Sequence, residues 1–361
     1  MDRREWLSLH LIQGLGNVGF RNLLSRFGTP DSVFQAPLRE LMEVEGVRAE
    51  TAERILKRQY SAQPAWVLKE VERKGARLVC FEDREYPLAL KEIHDPPMVL
   101  YVKGGKISPK TTFVAVVGSR NPTPYGLKAA ESIGQGLARR GQGVVSGMAR
   151  GIDAAAHWGA LTNDGFTVAV LGTGIDVVYP VSNLKLHEKI VEKGAVITEF
   201  PPGTPPEPRN FPIRNRVISG LSRAVVVVEA TMKSGSLITA AVALEQGREV
   251  FAVPGSVASF KSTGCHFLIK QGARLVENAD DILEELGLHF ARAPRSDAEG
   301  TLWPILKGDE KAIYELLGDY PIHIDEIVRG GRFRPGEALS ILLKMELKGL
   351  VRQLPGKMFV R

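Results

Sequence analysis

The stretch F-V-A-V-V-G-S-R (Phe113 to Arg120) runs apolar, mostly β-branched residues into a glycine and then a polar turn. The same event recurs in G-V-V-S-G-M-A-R-G-I-D (Gly143 to Asp153) and T-V-A-V-L-G-T-G-I-D (Thr167 to Asp176), each time ahead of a helix-like segment. A short run that is apolar at nearly every position suits a strand covered on both faces, as in a parallel sheet flanked by helices. Loops at the carboxyl ends of such strands aim backbone N–H groups and helix N-termini at one crevice, where these sheets hold anions. The pattern predicts a phosphate-bearing ligand.

Working outward, alternation of strands and helices continues from Phe113 to Leu286. Strands are predicted at 113–117, 143–146, 167–171, 195–198, 224–229, 249–253 and 274–276. Helices are predicted near 126–140, 153–162, 183–193, 213–222, 237–246, 265–271 and 279–286. The fold class is α/β, a Rossmann-like, doubly wound, mainly parallel sheet. Ahead of it, A-R-L-V-C-F and the apolar run ending in V-L-Y-V-K-G, separated by two proline breaks, suggest an extension packed on the sheet. The four expected regions are 1–62, helical; 63–288, the extended Rossmann-like domain; 289–304, a polar linker; and 305–361.

The first region holds a half-repeat: Leu11 to Leu24 and Leu41 to Leu56 each read apolar, glycine turn, amphipathic helix. Such a repeat is similar to tandem helix-hairpin-helix (SAM-like) units, whose turns meet a DNA phosphate. Equally, it suits a small bundle with Gly14, Gly16 and Gly46 as caps. The last region predicts three helices and a hairpin about Pro355-Gly356, the order of a winged helix. Its third helix, P-G-E-A-L-S-I-L-L-K-M-E-L-K, has no arginine to read bases, so protein interaction and duplex binding both stand.

Net charge is +6 over 361 residues, a mild bias with no charged arm, so a polyanionic partner has to be argued from local placement. The two cysteines, Cys80 and Cys265, form no C-x-x-C pair, which suits a reducing, cytoplasmic setting, and metal-ligand spacing is absent. There is no run long and apolar enough to predict a membrane span. Gly172-Thr173-Gly174 lacks the third glycine and the distant acid of a dinucleotide fingerprint, and no Walker loop occurs, so no cofactor is expected. Ser119 stands outside any G-x-S-x-G elbow, and His157, within A-A-A-H-W-G-A, reads as buried or capping rather than as a base.

The most unusual segment is P-P-G-T-P-P-E-P-R-N-F-P-I-R-N-R (Pro201 to Arg216). Asn210, Arg214 and Arg216 bracket Phe211, an arrangement suited to a phosphate backbone with one stacked base. Alternatively, the arginines pair with acids such as Glu199 and Glu229, and Phe211 plugs the core. Lys233, Ser234, Gly235 and Ser236 open an Ala-rich helix, a second seat for phosphate.

Taken in order, D-x-x-Y-P-x-x-L with D-P-P-x-x-L-Y, V-V-G-S-R, S-G-M-A-R-G-I-D-A-A-A-H, V-L-G-T-G-I-D-x-x-Y-P, F-P-I-R-N-R, S-G-S-L-I-T-A-A and G-C-H-F-L-I-K-Q-G-A span Glu82 to Leu286. Together they resemble the DprA (Smf) family of bacterial DNA-processing proteins. The resemblance implies a non-enzymatic protein that binds single-stranded DNA, forms a homodimer, protects incoming DNA and loads the RecA recombinase in natural transformation. It implies Gly118, Ser119 and Arg120 as a phosphate-cradling loop, with Arg214, Arg216 and Lys185 as basic contacts. Two competitors would use the same crevice, a nucleotide sensor and a nucleotide N-glycosidic hydrolase. The hydrolase's P-G-G-x-G-T loop is unmatched by K-S-G-S-L-I-T, with Glu245 the nearest later acid on the helix.

Overall fold

Nine strands form the central sheet: β1 (Ala76–Cys80), β2 (Val99–Gly104), β3 (Phe113–Gly118), β4 (Gly143–Ser146), β5 (Thr167–Val170), β6 (Ala195–Thr198), β7 (Ala224–Val228), β8 (Glu249–Ala252) and β9 (Arg274–Leu275). The computed structural model describes residues 3–288, 308–318, 321–348 and 350–360. Strand order is β1-β2-β6-β5-β4-β3-β7-β8-β9. All pairs from β6 to β9 are parallel. β7, A-V-V-V-V, is buried at every position, as a strand with helices on both faces must be. The segment expected to pack on the sheet instead joins it: β1 pairs with β2, and β2 with β6, both antiparallel.

Before the sheet come helices Arg3–His10, Asn17–Phe27, Pro30–Gln35, Leu38–Met42 and Ala49–Leu56. The turns at Gly14 and Gly46 have φ of +80° and +85°, backbone that L side chains seldom adopt. Trp6 and Phe20 stack at 5.4 Å. They share one apolar core with Leu78, Tyr101 and Val196 of the sheet, so burial is continuous across residue 62.

Residues 308–360 carry a core of their own, including Ile313, Ile327, Leu342 and Phe359. Helices Asp309–Leu316, Ile324–Gly331 and Pro335–Leu347 combine with β10 (Ile322–His323), β11 (Arg352–Leu354) and β12 (Met358–Val360), in the order β10-β12-β11. This is a winged helix. β10 escapes the sequence pattern because two residues are too few to show alternation. The expected linker, 289–304, lies outside the described residues.

Beneath the sheet's helices, His157 is wholly buried. The Thr167 hydroxyl gives its proton to the Val144 carbonyl at 2.9 Å, so at 2.7 Å it accepts from Nδ1 of His157. Burial, helped by the nearby Arg214, lowers the imidazole to about 3. In the unfolded chain the ring takes a proton near 6.5, so its contribution to stability is complete above that pH and drains away as pH falls toward 3. The expected loss is of the order of a few kcal/mol. Urea unfolding at about pH 7 and about pH 4.5 checks it. An equal pH slope in His157→Asn would contradict it.

Candidate nucleic-acid interface

The chain leaves β3, winds through β4, β5 and β6 to one side, and returns to β7 on the other, so β3 and β7 flank the topological switch point. At their carboxyl ends lies an open cleft of about 630 Å³. Its walls come from the end of β3 and the turn after it (Val117–Asn121), Ala149 and Asp153 after β4, Thr231 and Ser234 after β7, and helices Asn210–Leu221 and Gly235–Glu245. The two strand ends meet closely. A Cβ at Gly118 would lie 1.8 Å from the Val228 carbonyl oxygen, so no side chain fits there.

Ser119 N–H donates to the Glu229 carbonyl at 2.8 Å, its carbonyl accepts from Ile152 N–H at 3.1 Å, and its hydroxyl accepts from Asn121 N–H at 3.1 Å. The loop is therefore braced from within. Of the expected phosphate-cradling loop Gly118–Arg120, the Ser119 N–H is already engaged. What the loop projects is the exposed Arg120. The second seat is more open, because Ser234 makes no cap to the helix backbone and instead bonds the Ser236 hydroxyl at 2.8 Å. The opening N–H groups of helix Gly235–Glu245 carry the positive end of its dipole into the cleft.

Helix Asn210–Leu221 starts three residues earlier than its predicted start, Pro212 being compatible with a first turn. Phe211 is thereby a helical residue with a fixed ring. One edge rests on Gly172, where a Cβ would approach the ring to 2.8 Å. The Arg120 guanidinium lies 5.5 Å from its centroid, Arg214 5.9 Å, and the Tyr179 ring 5.7 Å at 37°. Phe211 is half-buried, seated below and reachable from the cleft.

Arg216 corrects the sequence-based expectation, whereas Arg214 lines the cleft but is buried. Arg214, 5 % exposed, donates to the carbonyls of Gly147 (2.9 Å) and Val170, and to the Asn215 side chain at 3.3 Å. Burial lowers it to about 10, with Asp153 opposing and Arg120 adding to the shift. Asp153 accepts the N–H groups of Gly147 (3.1 Å) and Ala149 (3.3 Å). Burial raises its carboxyl, and the Arg214 charge beside it pulls it back. The pair clamps the 147–149 turn and floors the cleft. Arg216, 8 % exposed, does not line the cleft: Asp95 holds its Nε at 2.9 Å and Glu199 its Nη2. Pairing with acids, one of the two alternatives read from the segment, is what Arg216 does.

Of the remaining expected contacts, Ser234, Gly235 and Ser236 line the cleft, whereas Asn210 is buried and Lys233 and Lys185 are exposed outside its lining. Lys185 sits two residues past Asn183, whose amide donates to the carbonyls of Met148 and Ala149 at the cleft's edge. Asn121, Asp153, Tyr179, Asn215 and Thr231 line the cleft without having been singled out as contacts. In the N-terminal region, Asn17 opens helix Asn17–Phe27 facing the sheet, accepting Met98 N–H at 3.2 Å and donating to Glu199 at 3.3 Å. That contact suits a bundle docked on the sheet.

Fold and cleft define a Rossmann-like α/β protein, with an open crevice at its switch point, whose chain also carries a winged helix. The chain belongs to the DprA (Smf) family. A family model described as DNA recombination-mediator protein A matches residues 77–287, and one for the DprA winged helix domain matches 292–357. Protein Smf of Synechocystis is 35 % identical over 100 % of this chain and 99 % of its own length. The DNA processing protein DprA of Streptococcus pneumoniae is 50 % identical over 55 % of this chain and 71 % of its own. The X-ray structure of that pneumococcal protein superposes with a TM-score of 0.70 at 40 % identity, covering 79 % of this chain and 98 % of the other. A Helicobacter pylori DNA processing protein A structure, described by its single-stranded DNA binding mode, gives 0.52 at 29 % identity, covering 58 % and 95 %. Among the described residues no helix is long and apolar enough to cross a membrane, and no cluster of His, Cys, Asp and Glu could hold a metal ion.

Proposed function

We propose that the cleft binds single-stranded DNA without sequence preference, and that the protein acts in the cytoplasm as a homodimer that protects incoming strands and hands them to the RecA recombinase. The observation that carries the DNA reading is the exposed Arg120 poised 5.5 Å from the reachable ring of Phe211, beside an uncapped helix N-terminus. A cation and helix dipole suit phosphates, and a π-face accepts any base. The named activity of the Helicobacter pylori neighbour supports the same reading. Two buried free cysteines fit a reducing compartment. The dimer and the recombinase rest on family membership.

A hydrolase reading has less support. Glu245 lines a different cavity, with His94 and Asp95, while the carboxylate in the cleft, Asp153, is engaged by backbone N–H groups. Titration with fluorescent oligothymidylates and with free nucleotides tests the proposal: affinity should climb with strand length and be weak for mononucleotides. Tight mononucleotide binding with no length dependence would favour the sensor instead.

Phe211→Ala should weaken single-strand binding by about 1–3 kcal/mol with little change in melting temperature. Should the ring serve chiefly as a plug, the cost would be about 3–5 kcal/mol of stability with affinity intact.

A further inference from the structure

Beyond the cleft's rim, the turn after β8 displays two apolar side chains to solvent: Val257 is 92 % exposed and Phe260 70 %. Nothing about this exposure reflects a loose chain. Phe260 opens a short 3₁₀ turn, Phe260–Ser262, whose last residue is buried. The Thr263 hydroxyl donates to the Phe260 carbonyl at 2.7 Å, and Ser262 N–H to the Ser259 carbonyl at 3.1 Å. His266 Nε2 bonds the Gly255 carbonyl at 3.0 Å, closing the base of the loop. An aromatic ring is thus held in water by an ordered backbone, where the hydrophobic effect would otherwise bury it.

Its neighbour connects it to the cleft. Lys261 Nζ donates to the carbonyl oxygen of Asn121 at 2.8 Å, and Asn121 is the cleft residue next to Arg120. The contacts run from Phe211 to Arg120, through the adjoining Asn121 to Lys261, and Phe260 directly precedes Lys261 in the chain: aromatic, cation, amide, cation, aromatic. Such alternation suits a strand whose phosphates follow the cations while its bases rest on the rings.

We propose that Phe260, with Lys261, is a second base-stacking platform that lengthens the strand's path beyond Asn121. The proposal rests on the reading of the cleft as a single-strand site. A ring fixed before binding loses little conformational freedom on stacking, which favours its use.

Anisotropy titrations of the full chain with oligothymidylates of about 4 and about 16 nucleotides test it. Phe260→Ala should weaken the long strand about five- to tenfold, leave the short one unchanged, and keep the melting temperature, since the side chain is exposed. Phe260→Trp should retain the long-strand affinity. Unchanged long-strand binding in Phe260→Ala would overturn the proposal, as would an equal loss with both strands. A shift in oligomeric state by light scattering, accounting for the loss, would overturn it in favour of a face between copies of this chain. Arg120→Glu in the same titration separates the two failures. Loss with both strands upholds the cleft whatever Phe260 does, whereas no loss with either overturns the cleft and this extension with it.

Discussion

Arg214→Ala is expected to destabilise the protein by about 3–5 kcal/mol, the cost of removing a buried cation and leaving an opposite buried charge uncompensated. The guanidinium satisfies the carbonyls of Gly147 and Val170 and faces the buried Asp153 carboxylate. Its removal would leave two carbonyls without their donor and a carboxylate whose main compensating charge is gone. The fit is close on the other side too, because a Cβ at Gly147 would come within 2.6 Å of the guanidinium. Lysine should not rescue, since one ammonium cannot reproduce the planar fork. Denaturant unfolding checks the expectation. A loss of stability under about 1 kcal/mol together with a large loss of DNA affinity would make Arg214 a strand contact after all.

The two arginines of I-R-N-R show what the sequence could and could not tell. Strands β3 to β8 fall within a residue of their predicted limits, because continuous apolar runs ending in glycine or polar turns leave little freedom in the assignment. The same logic places Gly118, Arg120, Ser234 and Gly235 around one cleft, since all follow the carboxyl ends of strands beside the switch point. Arginines two residues apart on a helix point about 200° apart, so they cannot serve one surface. Both are buried, and what each is buried against depends on Asp153, Asp95 and Glu199, brought in from three other segments. No local pattern carries that information. In the sequence Asp153 is one letter of a strand-turn-helix motif, and its role emerges from the 147–149 turn wrapping its carboxylate. The internal bracing of Ser119 is hidden for the same reason, its partner Glu229 lying at the end of another strand.

Arg120 differs from both arginines in being exposed, so its replacement tests binding without testing the fold. Arg120→Glu should remove a cation from the rim, place a carboxylate beside the strand's phosphates, and abolish measurable single-strand affinity while leaving the melting temperature in place. Where residual binding can be followed, each lost phosphate contact should flatten the dependence of log affinity on log salt by about 0.7. Arg120→Ala, which removes the attraction without adding repulsion, should fall between the parent and the glutamate variant. The most direct measurement is therefore a salt series of oligothymidylate anisotropy on the parent protein, Arg120→Ala and Arg120→Glu. A graded loss of affinity with a shallower salt slope in the alanine variant is the predicted result. Equal affinities and equal slopes in all three, with folding intact, would contradict the assignment of the cleft.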